Sequence, residues 1–131
     1  MKEWILGTTY ECTAAVTADQ LASSVKSGTA DVFATPALAA LLEQAAMLCM
    51  AQFLEGDETS VGTALSITHD AATPLGMLVT ARAELVAAEG RRAEFKLEAH
   101  DECERISAGT HTRFVVFQTR FQQKCDAKKQ G

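Results

Sequence analysis

The chain has 131 residues, enough for one domain around one hydrophobic core. At 47% hydrophobic and 22% charged it reads as an ordinary folded protein. Its net charge of -5 argues against nucleic acid as the main partner, because phosphate binding calls for clustered Lys and Arg. Lys124, Lys128 and Lys129 do gather near the end, where a short basic segment reads as a solvated polar tail over 121–131. No stretch approaches the ~18 apolar residues of a membrane span. Met1 to Trp4 lacks the apolar run of a signal peptide, so a cytoplasmic protein without a membrane partner is expected. The cysteines Cys12, Cys49, Cys103 and Cys125 form no C-x-x-C pair and no metal-ligand spacing with His69, His100 or His111. They are expected as reduced, mostly buried thiols, with no metal site.

In chain order, Trp4 to Val16 is rich in Thr, Val and aromatics, and alternates apolar residues at one parity: a strand. Leu21 to Ala30 is small, polar and irregular, a loop with one helical turn. Thr35-Pro36 is a helix start, a hydroxyl at the cap followed by Pro at the first position. From Ala37 to Leu54 the residues are apolar on most sides, which predicts one long buried helix, with Gly56 as its stop.

Four strand patterns follow. Val61, Thr63, Leu65, Ile67 and His69 are expected to share one face, and Met77, Val79, Ala81, Ala83 and Leu85 another. Ala93, Phe95, Leu97 and Ala99 alternate with charged residues, and Thr110, Thr112, Phe114 and Val116 continue the pattern in a last strand. Glu89-Gly90 and Asp101-Glu102 read as turns, so adjacent strands are expected to form an antiparallel meander. The prediction is one α+β domain over 1–131, core about 4–120: an antiparallel sheet wrapped around one long central helix. Its exposed edge strand invites pairing with a second copy.

Helical phasing at about 100° per residue sets Glu43 apart. The other polar residues of the helix, Gln44, Gln52 and Glu55, group on one side, whereas Glu43 points among Ala39, Ala40, Ala46, Met47, Met50 and Leu54. A carboxylate there is either a boundary residue reaching solvent or a functional group with a raised pKa. His69 ends a strand and is expected inward, as a core histidine or as a catalyst. Thr35 is accounted for as a cap, and Gly62 as a strand irregularity.

The motifs join these residues. Val32-Phe33-Ala34-Thr35-Pro36-Ala37-Leu38 and Leu41-Leu42-Glu43-Gln44-Ala45-Ala46 resemble the fluoroacetyl-CoA thioesterase family of the hot-dog superfamily. So do Thr59 to Thr63, His69 through Met77, Gly90-Arg91 and Gly109 to Phe114, in family order across about Val32 to Val116. The resemblance implies a hot-dog domain and an acyl-CoA thioesterase. It implies catalytic roles for Thr35, Glu43 and His69, a glycine near the thioester carbonyl at Gly62, and an active-site arginine at Arg113. The helix start, the helix flank and a strand of a second subunit are then expected to converge at the interface of a homodimer or dimer of dimers. Coenzyme A enters as part of the substrate and no separate cofactor is implied.

One feature departs from the family. Its fluoroacetyl enzyme carries an aromatic lid just before the Val-Phe-Ala-Thr-Pro strand, and here Leu21 to Asp31 holds no Phe, Tyr or Trp. The resemblance therefore carries thioesterase chemistry, as Glu43 nucleophile or general base, without fluoroacetyl selectivity. Two other classes stay open on the residues. One is another hot-dog enzyme such as an enoyl-CoA hydratase, whose Asp and His motif Asp70 does not reproduce. The other is a non-catalytic acyl-CoA-binding module.

Overall fold

The apolar run after Thr35-Pro36 forms the longest helix of the computed structural model, which describes all 131 residues. In order the elements are β1 (Thr9–Ala15), a 3-10 turn (Ala18–Gln20), the one-turn helix α1 (Ala22–Val25), α2 (Thr35–Ala51), β2 (Glu58–Ile67), β3 (Leu78–Glu89), β4 (Arg92–His100), β5 (Arg105–Phe117) and α3 (Gln118–Asp126), followed by a short 3-10 turn over Ala127–Gln130. All five strands make one antiparallel sheet in the order β1-β3-β4-β5-β2. Its concave face closes on α2, so an antiparallel sheet does wrap a single helix. No helix is long and apolar enough to cross a membrane.

The core lies where alternation and helical periodicity meet. Leu38, Leu42, Ala45, Ala46, Cys49 and Met50 of α2 pack against Val79, Ala81, Ala83 and Leu85 of β3 and Ala93, Phe95, Leu97 and Ala99 of β4. All are buried, as the period-2 pattern requires of strands with one wet face. The α2 helix is buried on that side only. Ala40, Gln44, Met47 and Ala51 form an exposed stripe on the other.

Several expectations need correction. The first strand begins at Thr9 rather than Trp4, whose indole instead stacks on Phe53 and donates to the Gly90 carbonyl. The helix ends at Ala51, before Leu54. Only β3, β4 and β5 form a meander: β2 skips its sequence neighbour and pairs with β5, the connection through Pro74 and Gly76 carrying the chain across. The cysteines are not mostly buried. Cys49 is, Cys12 is half-buried, and Cys103 in a turn and Cys125 on α3 are exposed. The segment expected as a polar tail is exposed but helical, anchored where Asp57 accepts from the Thr119 amide and hydroxyl.

A bulge overturns the facing of β2. Gly62 pairs with Arg113 and Ala64 with Thr112, leaving Thr63 without an opposite residue. One extra residue flips the parity of everything beyond it. Ser60 and Gly62 therefore face the concave side with Arg113, while beyond the bulge Leu65 and Ile67 do, and Val61 lies on the other face. In β5 the inward row is His111, Arg113 and Val115, all buried, and the Phe114 parity is half-buried outside.

Candidate functional site

Two clusters form against α2, a little over two turns apart. The first is at the helix start. Thr35 is the first helical residue and Ala34 the N-cap, with no side-chain cap. The expected capping role is absent because the Thr35 hydroxyl bonds His69 Nδ1 at 2.7 Å instead. His69 lies just past β2, two residues after Ile67, not within the strand. Burial pushes its imidazole below the usual 6.5, with Asp70 pulling the other way. Its Nε2 is buried without a partner. A neutral imidazole with one free nitrogen is ready to give or take a proton at a molecule placed beside it. Beside it lies a cavity of about 270 Å³ bounded by Phe33 and otherwise by small groups such as Ala22, Ser27 and Ala71.

The second cluster surrounds Glu43. Arg113 is 6% exposed, a buried cation that costs folding free energy unless its donors are used. Its Nε donates to Ser60 Oγ at 3.0 Å and its Nη2 to the Ser60 carbonyl at 3.0 Å. Nη1 donates to His111 Nε2 at 3.2 Å and stands 3.7 Å from Glu43 Oε2. The His111 tautomer follows from its other contact. Nδ1 is 2.7 Å from the Ala64 carbonyl, which only accepts, so Nδ1 carries the hydrogen and Nε2 is free to accept from Arg113. Burial lowers the His111 pKa and the Arg113 charge lowers it further, against the Ala64 carbonyl and Glu43. Burial likewise lowers that of Arg113, against Glu43, yet guanidinium stays charged.

Gly62 is a glycine for a steric reason. A Cβ there would stand 2.9 Å from His111 Cε1, 3.1 Å from Glu43 Oε2 and 3.3 Å from Arg113 Nη1. His111, Glu43 and Arg113 close in on the space a side chain would need. Glu43 is not enclosed by apolar neighbours as its phase on the helix suggested: its side chain is 43% exposed and turned to Arg113. Thus Thr35 meets His69, and Glu43 meets Gly62 and Arg113. No hydrogen bond or ion pair joins one pair to the other within one chain. Thr35 and His69 meet within one chain.

Sequence reasoning missed Ser60 and His111. The available signal was the run His111-Thr112-Arg113, where two polar residues share a parity with Val115; the bulge that turns Ser60 inward left no local mark. No three His, Cys, Asp or Glu side chains converge to hold a metal ion.

Comparison with known proteins places this geometry. The family described as fluoroacetyl-CoA-specific thioesterase matches residues 16–119. The fluoroacetyl-CoA thioesterase of Streptantibioticus cattleyicolor is 45% identical over 98 residues, 75% of this chain and 70% of that protein. A solved structure of the fluoroacetyl-CoA thioesterase superposes with a TM-score of 0.91 at 34% identity, covering 97% of this chain and 98% of the other. A Thermus thermophilus protein described as a thioesterase superfamily member also gives 0.91, over 99% and 96% of the two chains. At 23% identity it speaks for the fold alone.

Proposed function

The chain belongs to the fluoroacetyl-CoA-specific thioesterase family and is a hot-dog-fold thioester hydrolase, and we propose that it cleaves a small acyl-CoA thioester with Glu43, Thr35 and His69 as its working residues. The observation that carries this reading is the Glu43 carboxylate, half-exposed and 3.7 Å from the buried Arg113 guanidinium beside Gly62. A thioester carbonyl brought to its exposed side meets a carboxylate held by Arg113. Glu43 either attacks the carbonyl carbon or removes a proton from a water that does. The carbon–sulfur bond breaks, coenzyme A leaves as thiolate and takes a proton, and the acyl group ends as the free acid, in the first route after water cleaves the acyl–Glu43 anhydride.

The oxygen of the carbonyl becomes negative on the way and needs donors already in place. The Gly62 amide, the Thr35 hydroxyl and the first amides of α2 are of the right kind. His69, neutral and with Nε2 unpartnered, is suited to accept a proton from water and pass it, as imidazolium, to the departing thiolate. No step calls on a cofactor, coenzyme A being part of the substrate.

Two chains share the site in this reading. The β2 strand is a sheet edge, and Gly62 to Ser66 are exposed in a single chain, beside the half-exposed Glu43. An edge of unpaired amides and carbonyls so near the site is suited to pairing with a copy of itself. Light scattering should then give at least twice the 14.0 kDa of one chain; an active monomer would contradict the shared site. Free thiols throughout fit a reducing, cytoplasmic setting. The deciding experiment is an acyl-CoA panel assayed for thiol release. Steady turnover supports the reading, hydration without thiol release favours a hydratase, and binding without either leaves a binding module.

A further inference from the structure

The sequence is acidic overall, yet one end of the molecule collects cations that nothing neutralises. Arg91 follows the β3–β4 turn at Gly90, while Arg120, Lys124 and Lys128 recur every four residues along α3 and beyond. None of the four forms an ion pair. The nearby carboxylates have other partners: Glu58 binds the Met1 ammonium at 3.0 Å, although Arg91 also draws on it, Asp57 holds Thr119, and Asp126 accepts from Gln122. Among the cations stand two exposed aromatics, Phe117 at 39% and Phe121 at 45%. Arg91 stacks 4.7 Å from the centre of the Phe117 ring and Arg120 at 5.6 Å, so neither guanidinium fork is spent on a carboxylate. Arg91, Phe117, Arg120, Phe121 and Lys124 line a groove of about 300 Å³, and Lys128 lies in an adjoining one that shares Phe121 and Lys124.

We propose that this groove binds the adenosine-phosphate end of the coenzyme A substrate, the purine on Phe117 and Phe121 and the phosphates on Arg120, Lys124, Lys128 and Arg91. The chemistry is complementary on both counts. Purines stack on aromatic faces and guanidinium planes, and Arg forks pair with phosphate oxygens in bidentate fashion. The position fits as well. Phe117 is four residues beyond Arg113 on β5 and shares its parity, roughly 13 Å away along the strand. Between the two runs a groove of about 230 Å³ from Ser60, which holds Arg113, to Glu58, which pairs with Phe117. Met47, Ala51 and Leu54 give it an apolar wall suited to the uncharged pantetheine arm.

This rests on the thioesterase reading, and the test separates the two. Wild type and Arg120→Ala/Lys124→Ala are compared on an acyl-CoA and on the same acyl group carried by N-acetylcysteamine, a thioester without the nucleotide. The proposal expects KM for the acyl-CoA to rise roughly tenfold or more with kcat within about twofold, while kinetics on the truncated thioester stay unchanged. Calorimetry should show adenosine bisphosphate binding to wild type and not to the variant. Unchanged KM for the acyl-CoA in a variant folded by circular dichroism overturns the proposal, as does an equal loss on both substrates. Should wild type cleave neither thioester, the thioesterase reading fails by itself and calorimetry still decides the groove.

Discussion

The two halves of the candidate site are built to different standards of rigidity. At the helix start one hydrogen bond joins Thr35 to His69, and an open cavity lies next to it. Around Glu43 a buried arginine is tied by Ser60 and His111, His111 is tied by the Ala64 carbonyl, and a glycine is required for the pieces to fit. Preorganised charge does most where it need not reorganise during reaction. We propose that the tightly held half carries the larger share of the chemical step, and that the loose half is the place to vary what is bound.

The sharpest way to break that division is Glu43→Gln, which keeps shape and hydrogen bonding but cannot ionise. We expect kcat to fall by a factor on the order of 10² or more, roughly 3 kcal/mol of barrier. Gln44→Ala, one residue on and exposed, should leave turnover near wild type. A folded Glu43→Gln protein with wild-type thiol release would remove the proposed catalyst and put a binding module in front.

On the other half, His69→Ala should cost on the order of tenfold or somewhat more in kcat, the size of one lost proton donor. Folding should hold, because the side chain makes one hydrogen bond and carries a buried, unpartnered Nε2. A loss as large as that of Glu43→Gln would show that the helix-start pair, looser in structure, is no less demanding in function.

His111 tests the rigid half by pH. Its folded pKa lies below the usual 6.5, so the unfolded chain takes up its proton first as the solution is acidified. The neutral, folded form is therefore favoured fully above about 6.5, and stability falls as pH drops through that value towards the folded pKa. His69 shifts the same way and adds to the slope. His111→Gln removes one titration and retains an acceptor for Arg113. The slope of Tm against pH just below 6.5 should flatten, and kcat should drop by about tenfold or less. An unchanged slope would mean His111 does not titrate there.

How far all this was legible follows from which signals are local. The alternation of β4 gave its inward row correctly, since Ala93, Phe95, Leu97 and Ala99 repeat every second residue without interruption. The same rule failed on β2, where the bulge at Thr63 reverses facing and nothing in Ser60 to Leu65 announces it. Thr35 read as a cap because hydroxyl before Pro is a cap pattern, and only the long-range contact with His69 says otherwise. Glu43 was singled out by helical phase, for the wrong reason: it faces a buried arginine, not an apolar wall. Arg113 came from family motifs, whereas Ser60 and His111, which lie in the same motifs, were given no role, because their roles exist only through cross-strand pairing.

The smallest expected effect concerns the acyl group. The family's fluoroacetyl enzyme has an aromatic lid before its Val-Phe-Ala-Thr-Pro strand, and the corresponding stretch here is a 3-10 turn, the one-turn α1 and a loop without an aromatic residue. What stands next to Thr35 and His69 instead is space, about 270 Å³ edged by Ala22, Ser27 and Ala71. Apart from Phe33 the pocket wall carries no Phe, Tyr or Trp ring with which to sense one fluorine, and a hydrophobic pocket discriminates by only about 1–3 kcal/mol for a missing methylene. We expect kcat/KM for acetyl-CoA and fluoroacetyl-CoA to agree within about tenfold, or about 1.4 kcal/mol, and a bulkier acyl-CoA to be turned over at least as well. Filling the space should then cost the bulky substrate most: Ala22→Phe ought to lower kcat/KM for it by several-fold while leaving acetyl-CoA nearly untouched. A wild-type preference for fluoroacetyl-CoA by several orders of magnitude would overturn this, and would locate selectivity in the rigid half around Glu43, the one part of the site whose geometry leaves no slack.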